Sequence, residues 1–158
     1  MPIITLGPKG TFSHQAALSY QEDVILASSI DEIFLLLKEG RVHRALLPLE
    51  NSLSGTVLTT LDHCYHTDLS IVGETILPIR HVLGSFEEKE AIRTLYAHPH
   101  AYEQCKEKIT SLLDNPDIIF TASNGHSANK LKENKERAGA IISPWSAQEN
   151  QIPVLADD

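Results

Sequence analysis

No stretch of the 158 residues carries the roughly 18 consecutive apolar side chains that a membrane span requires. The first residues also lack the basic start and long apolar core of a secretory leader. A cytoplasmic protein without a membrane partner is expected. Cysteine is scarce: Cys64 and Cys105 stand far apart and without C-x-x-C spacing, which suits reduced thiols better than a disulfide framework. Positive charge is thin. Against 21 Asp and Glu there are 13 Lys and Arg, a net charge of -8, and the basic residues form no runs. A nucleic-acid partner, whose phosphates demand a basic patch, is therefore not expected. An anionic ligand would have to be held locally, by backbone donors and helix ends, against the field of the whole chain.

What is present is an alternation of two apolar periods. Short runs at Ile3 to Leu6, Val24 to Ala27, Ala45 to Leu47, Ser70 to Val72 with Ile76 to Ile79, Thr94 to Ala97, Ile118 to Thr121 and Gly139 to Ser143 read as strands. Between them the spacing turns helical. Ile30, Ile33, Phe34 and Leu37 stand at i, i+3, i+4 and i+7, after a Ser29 to Glu32 capping box and before Gly40 as a stop. Further helices are expected over Phe12 to Tyr20, Thr56 to Tyr65, His100 to Leu113 and Gly125 to Glu136. This alternation places the fold in the α/β class, with mostly parallel sheets flanked by helices. The nearly continuous extended pattern from Ser70 to Leu83, with Pro78 inside, is longer than an ordinary strand and suggests a chain leaving one sheet for another. Two lobes follow: residues 1–77 with about 151–158 in the first, and 78–150 in the second, the return falling near Gln151-Ile152-Pro153.

Three strand-to-helix junctions carry unusual chemistry. They are Gly7-Pro8-Lys9-Gly10-Thr11-Phe12-Ser13, Pro48-Leu49-Glu50-Asn51-Ser52-Leu53-Ser54-Gly55-Thr56, and Thr121-Ala122-Ser123-Asn124-Gly125. Small residues let a ligand approach backbone N–H groups, and hydroxyls and amides can donate to a carboxylate. Each junction alone is what any helix cap or turn prefers; three together point to an anion-binding cleft. Lys9 precedes Gly10, so the first is not a phosphate-binding P-loop. Asp62, His63, Cys64 and His66 are metal-ligand types, but on a helix only Asp62 and His66 face one way, and no metal is expected. Cys105 with His98 and His100 lacks an orienting group for a nucleophile and reads as core, and Trp145 as packing.

Taken in order, these segments resemble the catalytic domain of the prephenate dehydratase family. GPKGTFSHQAA, PLENSLSGTVLTTLD, IVGETILPIRHVL and HPHAYEQC are similar to its successive motifs. The resemblance implies a two-lobed fold of the type 2 periplasmic-binding-protein kind, with a small dianionic substrate, prephenate, between the lobes. It implies a lyase of phenylalanine biosynthesis that releases water and carbon dioxide to give phenylpyruvate. It further implies a homo-oligomer with no organic cofactor and no metal. Carried onto this chain, the substrate-binding positions are Gly10, Thr11, Phe12, Asn51, Ser52, Gly55, Thr56, Ser123 and Asn124. Asn124 stands where the family places a threonine. The family's favoured proton donor belongs to a threonine-arginine-phenylalanine motif expected beyond Asp158, so no catalytic residue is assigned. No regulatory domain is expected within the chain. Two other readings stay open: a dehydratase-like binding or regulatory module, and a prephenate decarboxylase-like enzyme.

Overall fold

The computed structural model describes residues 1–52 and 55–157. Leu53 and Ser54 of the second junction, and Asp158, lie outside the described residues. The chain divides into two compact units, Met1–Leu77 and Pro78–Asp158, each with its own sheet and core.

The first unit begins β1 (Ile3–Leu6), α1 (Phe12–Leu18), β2 (Val24–Ala27), α2 (Ile30–Lys38) and β3 (Ala45–Leu46), and its sheet runs β2-β1-β3 with both pairings parallel. Its core gathers Ile4, Ala27, Ile33 and Val42. Thr5 is fully buried in mid-strand, which is tolerable because its hydroxyl donates to Leu46 O at 2.8 Å and so ties β1 to β3. Helix α2 starts and stops for identifiable reasons. Ser29 Oγ accepts from Glu32 N at 3.1 Å. At the far end Arg41 N reaches Leu36 O (3.0 Å) and Gly40 N reaches Leu37 O (3.1 Å), with Gly40 at φ +69°. These two crossed bonds form a Schellman stop, which needs a left-handed residue and so favours glycine.

A small antiparallel ladder follows, β4 (Glu50–Asn51) against β5 (Gly55–Thr56), then α3 (Leu58–Tyr65). Thr56 therefore does not open a helix. Its backbone is taken by the pairing with Glu50, and α3 starts two residues later than expected, with Val57 as its cap. The extended pattern of Ser70 to Leu83 likewise gives no strand before β6 (Val82–Ser85). Ile71, Val72 and Ile76 are 73–89% exposed; their spacing suits a strand, but among the described residues no neighbour offers them a ladder.

The second unit comprises β6, β7 (Thr94–Ala97), α4 (Pro99–Leu112), β8 (Asp117–Phe120), α5 (Asn124–Glu133), β9 (Ala138–Ile142), α6 (Pro144–Glu149) and β10 (Val154–Asp157). Its sheet order is β10-β6-β9-β7-β8. β7 is parallel to β8 and β9, while β6 is antiparallel to β9 and β10, so the sheet is mixed rather than mostly parallel. Both faces are covered. Val82, Tyr96, Ala140 and Ile142 pack with Ala128, Leu131 and Ala147 of α5 and α6. Their strand neighbours Leu83, Leu95 and Ile141 pack with Ala101, Cys105 and Ile109 of α4. The uninterrupted apolar run Ala138–Ile142 is what burial on two faces demands.

Residues 151–158, assigned by sequence pattern to the first lobe, lie in the second unit. Ser85 N donates to Pro153 O at 3.0 Å, Ile152 is 4% exposed, and β10 occupies the edge of β6. An available edge of β6 captures this strand. α6, too short to show a periodic stripe, has no counterpart in the sequence reading.

Gly84 marks the tightest contact in this sheet. A Cβ there would stand 2.7 Å from Ile152 Cγ2 and 3.1 Å from Ile142 Cδ1. Gly84→Ala is expected to lower stability by about 1–3 kcal/mol through overpacking, read as a lower urea midpoint. Gly73→Ala, with nothing within 4 Å of its added methyl, should stay within about 0.5 kcal/mol of the parent.

Candidate functional site

Parallel pairing sends the carboxyl ends of β1, β2 and β3 to one edge, and the loops leaving that edge are Gly7 to Thr11, Ser28 to Ser29, and Leu47 to Leu49, which leads into β4. In open α/β sheets this is where ligands bind. The first and second expected junctions are thus brought together on one unit. The third lies on the other unit, at the carboxyl edge of β8.

At the first junction the chain is shaped from within. Gly10 has φ +93°, a conformation that excludes most side chains. Its N–H donates to Nδ1 of the buried His14 at 3.3 Å. Thr11 caps α1: its Oγ1 accepts from His14 N at 3.3 Å and donates to Pro8 O at 3.0 Å. The Thr11 hydroxyl therefore shapes the loop, and Phe12 begins the helix. At the second junction Asn51, Ser52, Gly55 and Thr56 are exposed; Asn51 pairs with Gly55 on the β4–β5 ladder, and Gly55 has φ +72°. At the third, Ser123 Oγ accepts from His126 N at 3.1 Å, and Asn124 Oδ1 is buried without a partner among the described residues.

Two features escape the sequence reading. Between β2 and α2, Glu32 Oε2 accepts from Ser28 Oγ at 2.6 Å and Ser28 N at 2.7 Å. Those two bonds, the hydroxyl first, hold its carboxyl below the ordinary carboxylate value. The chain thus seats a carboxylate of its own at the start of α2. On the second unit β7 and β9, parallel to each other, deliver α4 and α6 to one edge. Ser143 caps α6 through Ser146 N at 3.0 Å, whereas α4 has His98 at its cap position with no side-chain cap bond. His98 and His100 stack at 5.4 Å, and His81 Nε2 donates to Gln104 Oε1 at 2.8 Å. Burial, then the neighbouring His100 and His81, push the His98 imidazole below the ordinary histidine value. Pro99 at the first helical position is the signal that could have placed His98 at the cap.

Acid is excluded from most helix starts. Among the described residues the first turns of α1, α3, α4, α5 and α6 hold no Asp or Glu, whereas α2 carries Asp31 and Glu32 there and the short 3-10 turn Lys89–Ala91 carries Glu90. In a chain with 21 acidic residues this leaves five helix ends without a carboxylate of their own in the first turn. Such ends attract anions.

The metal-ligand types of α3 are used otherwise. His63 Nε2 donates to Asp31 Oδ1 at 2.7 Å and stacks on Phe34, while His66 Nδ1 donates to Asp62 O at 2.9 Å. Among the described residues no three His, Cys, Asp or Glu side chains converge. Cys105 is buried in the core beneath α4, and Trp145 is half-buried on α6.

The sequence model of the prephenate dehydratase family matches residues 3–158. A bifunctional chorismate mutase/prephenate dehydratase of Aquifex aeolicus is 32% identical over 155 residues, spanning 96% of this chain and 42% of that protein. A prephenate dehydratase of Lactococcus lactis is 28% identical, spanning 100% of this chain and 58% of its own length. Among solved structures, the prephenate dehydratase of Arthrobacter aurescens in complex with L-Phe superposes with a TM-score of 0.86 at 30% identity, covering 100% of this chain and 55% of that one. That of Staphylococcus aureus gives 0.82 at 23% identity, covering 99% and 60%, a likeness of fold. The chain thus spans about half the length of these relatives.

The caps generate two expectations. Thr11→Ala and Ser123→Ala should each cost about 0.5–2 kcal/mol of stability, measured by urea unfolding. For His98 the folded value lies below the unfolded one, so its contribution is complete above about pH 6.5 and is lost as pH falls through the folded value. The unfolding midpoint should drop as pH falls below about 6.5, and His98→Gln should flatten that part of the curve.

Proposed function

Because the chain belongs to the prephenate dehydratase family, we propose that it supplies the substrate-binding part of a dehydratase that converts prephenate to phenylpyruvate. The observation that carries this reading is the exclusion of acidic side chains from five helix starts, several of them at carboxyl edges of parallel strands. Prephenate bears two carboxylates, which the amides of such starts accept. Loss of carbon dioxide and of the ring hydroxyl aromatises the ring. The protein's task is to orient the substrate and to offer a proton or a strong hydrogen bond where hydroxide leaves, worth about 10² to 10⁴ in rate. In the first unit, Gly10, Asn51, Ser52, Gly55 and the first amides of α1 would hold one carboxylate, with Thr11 fixing the loop. In the second, the starts of α4 and α5 with Ser123 and Asn124 would hold polar groups of the substrate. The two-lobed organisation of the type 2 periplasmic-binding-protein kind is part of the same proposal, supported by the two units with separate sheets. So is a homo-oligomer in the cytoplasm.

Incubating the purified chain with prephenate tests the reading: phenylpyruvate absorbance in alkali is the expected product signal. Binding without turnover would leave a binding or regulatory module, and carbon dioxide release with a non-aromatic product would make it decarboxylase-like. Asn51→Ala is expected to weaken prephenate binding by about 1–3 kcal/mol, the cost of a charged group short of a partner. Calorimetry with unchanged affinity in this variant would remove the second junction from the site.

A further inference from the structure

A threonine just after β8 and a serine in the second turn of α5 set two hydroxyls where solvent does not reach them. Thr121 is 7% exposed and Ser127 0%. Buried hydroxyls need partners within the protein, and these two find each other, Oγ1 to Oγ at 2.6 Å. Both also reach one backbone oxygen, that of Ser123, Thr121 Oγ1 at 3.1 Å and Ser127 Oγ at 3.3 Å. Two hydroxyls carry two protons. One proton lies between them, so the hydroxyl that accepts it is the one that donates to Ser123 O. With Ser127 N as the second donor at 3.0 Å, both lone pairs of that carbonyl are filled in either arrangement.

The fold does not require hydroxyls here. Replacing both partners of a buried hydrogen bond by apolar groups of like shape is close to neutral for stability. What the pair adds is direction. Thr121 is fixed to the sheet, its N–H donating to Ala97 O at the end of β7 at 2.9 Å, and its hydroxyl passes that constraint to the Ser123 carbonyl. The Ser123–Asn124 peptide is trans, so its carbonyl and its N–H point in opposite senses. Holding Ser123 O against the hydroxyl pair therefore aims Asn124 N–H away from α5, at the carboxyl edge of β8. As the first amide of the helix it has no intrahelical acceptor. Asn124 offers its side chain as well: Oδ1 is buried and has no partner among the described residues, an acceptor that lacks a donor. A carboxylate could take the amide but would repel that oxygen. A hydroxyl answers both, accepting from N–H and donating to Oδ1.

We propose that the buried Thr121–Ser127 hydroxyl pair is a positioning clamp, which makes the third junction the place that receives the hydroxyl of the substrate rather than a carboxylate. This rests on the substrate reading above, in which prephenate brings its ring hydroxyl to the chain. Thr121 and Ser127 act through the Ser123–Asn124 peptide and touch no substrate themselves. Charge gathers on the substrate oxygen as hydroxide departs, and a helix start favours it there.

The test compares prephenate with phenylpyruvate, which lacks the ring hydroxyl, by calorimetry, or as KM where turnover occurs, beside urea unfolding of each variant. Thr121→Val combined with Ser127→Ala should weaken prephenate binding about tenfold, the worth of one well-directed hydrogen bond. Phenylpyruvate affinity and the urea midpoint should stay close to the parent's. Either substitution alone should have the smaller effect, because the remaining hydroxyl still reaches Ser123 O, and Thr121→Ser, which keeps the hydroxyl, should bind as the parent does. Parent-like prephenate affinity in the double variant, or an equal loss for the two ligands, would overturn the clamp and leave the substrate reading standing. A parent chain that binds neither ligand would remove that reading, and the clamp with it.

Discussion

Parallel strand pairing makes neighbouring strands leave a sheet at the same edge, and most of what is chemically notable in this chain follows from that constraint. Three parallel strands in the first unit place Gly7–Thr11 beside the loop leading to Asn51 and Gly55, although about forty residues separate them in sequence. Three more in the second unit place the starts of α4, α5 and α6 along one edge. Helix amides that would be scattered in an antiparallel meander are collected instead.

Collected amides need partners, and the chain meets the need in two ways. Where a hydroxyl caps the helix and no acid follows in its first turn, at Thr11, Ser123 and Ser143, one donor of the first turn is satisfied and the others still face the edge. At α2 the chain's own Glu32 brings a full negative charge, bonded to both the amide and the hydroxyl of Ser28. The difference is functional. A capped start stays receptive to an anion, while the start of α2 is already answered. Thr11 and Ser123, residues that the family pattern marks for substrate, thus act first on the backbone that any substrate would meet.

Elements whose burial is decided locally are legible in the sequence. Ile3–Leu6, Val24–Ala27 and Thr94–Ala97 form strands with the boundaries their apolar runs suggest, and α2 ends where Gly40 permits a left-handed turn. The misread elements depend on partners that sequence spacing does not reveal. Ser70 to Ile79 alternates like a strand yet meets no ladder, and Val154–Asp157, short and ending in acid, forms one because β6 presents an edge. Thr56 looks like a cap, but it pairs with Glu50 before α3 begins. In the site, the loops were readable from their small residues. The grouping of His98, His100 and His81 was not, since it arises only when the residue after β7, the first turn of α4 and the residue before β6 come together.

A net charge of -8 opposes the approach of the proposed dianion, but range decides the matter. Charges spread over the surface are screened within about 8–10 Å at physiological salt, so repulsion acts mainly on the approach of the ligand. The half-charge of a helix start acts over its first turn, where amides touch the ligand and salt screens little. Keeping acid out of five first turns preserves that short-range attraction. A histidine held neutral at the start of α4 adds no carboxylate there and can still donate or accept a proton. Repulsion at long range and attraction at contact can thus coexist, as the proposed binding of a dianion requires.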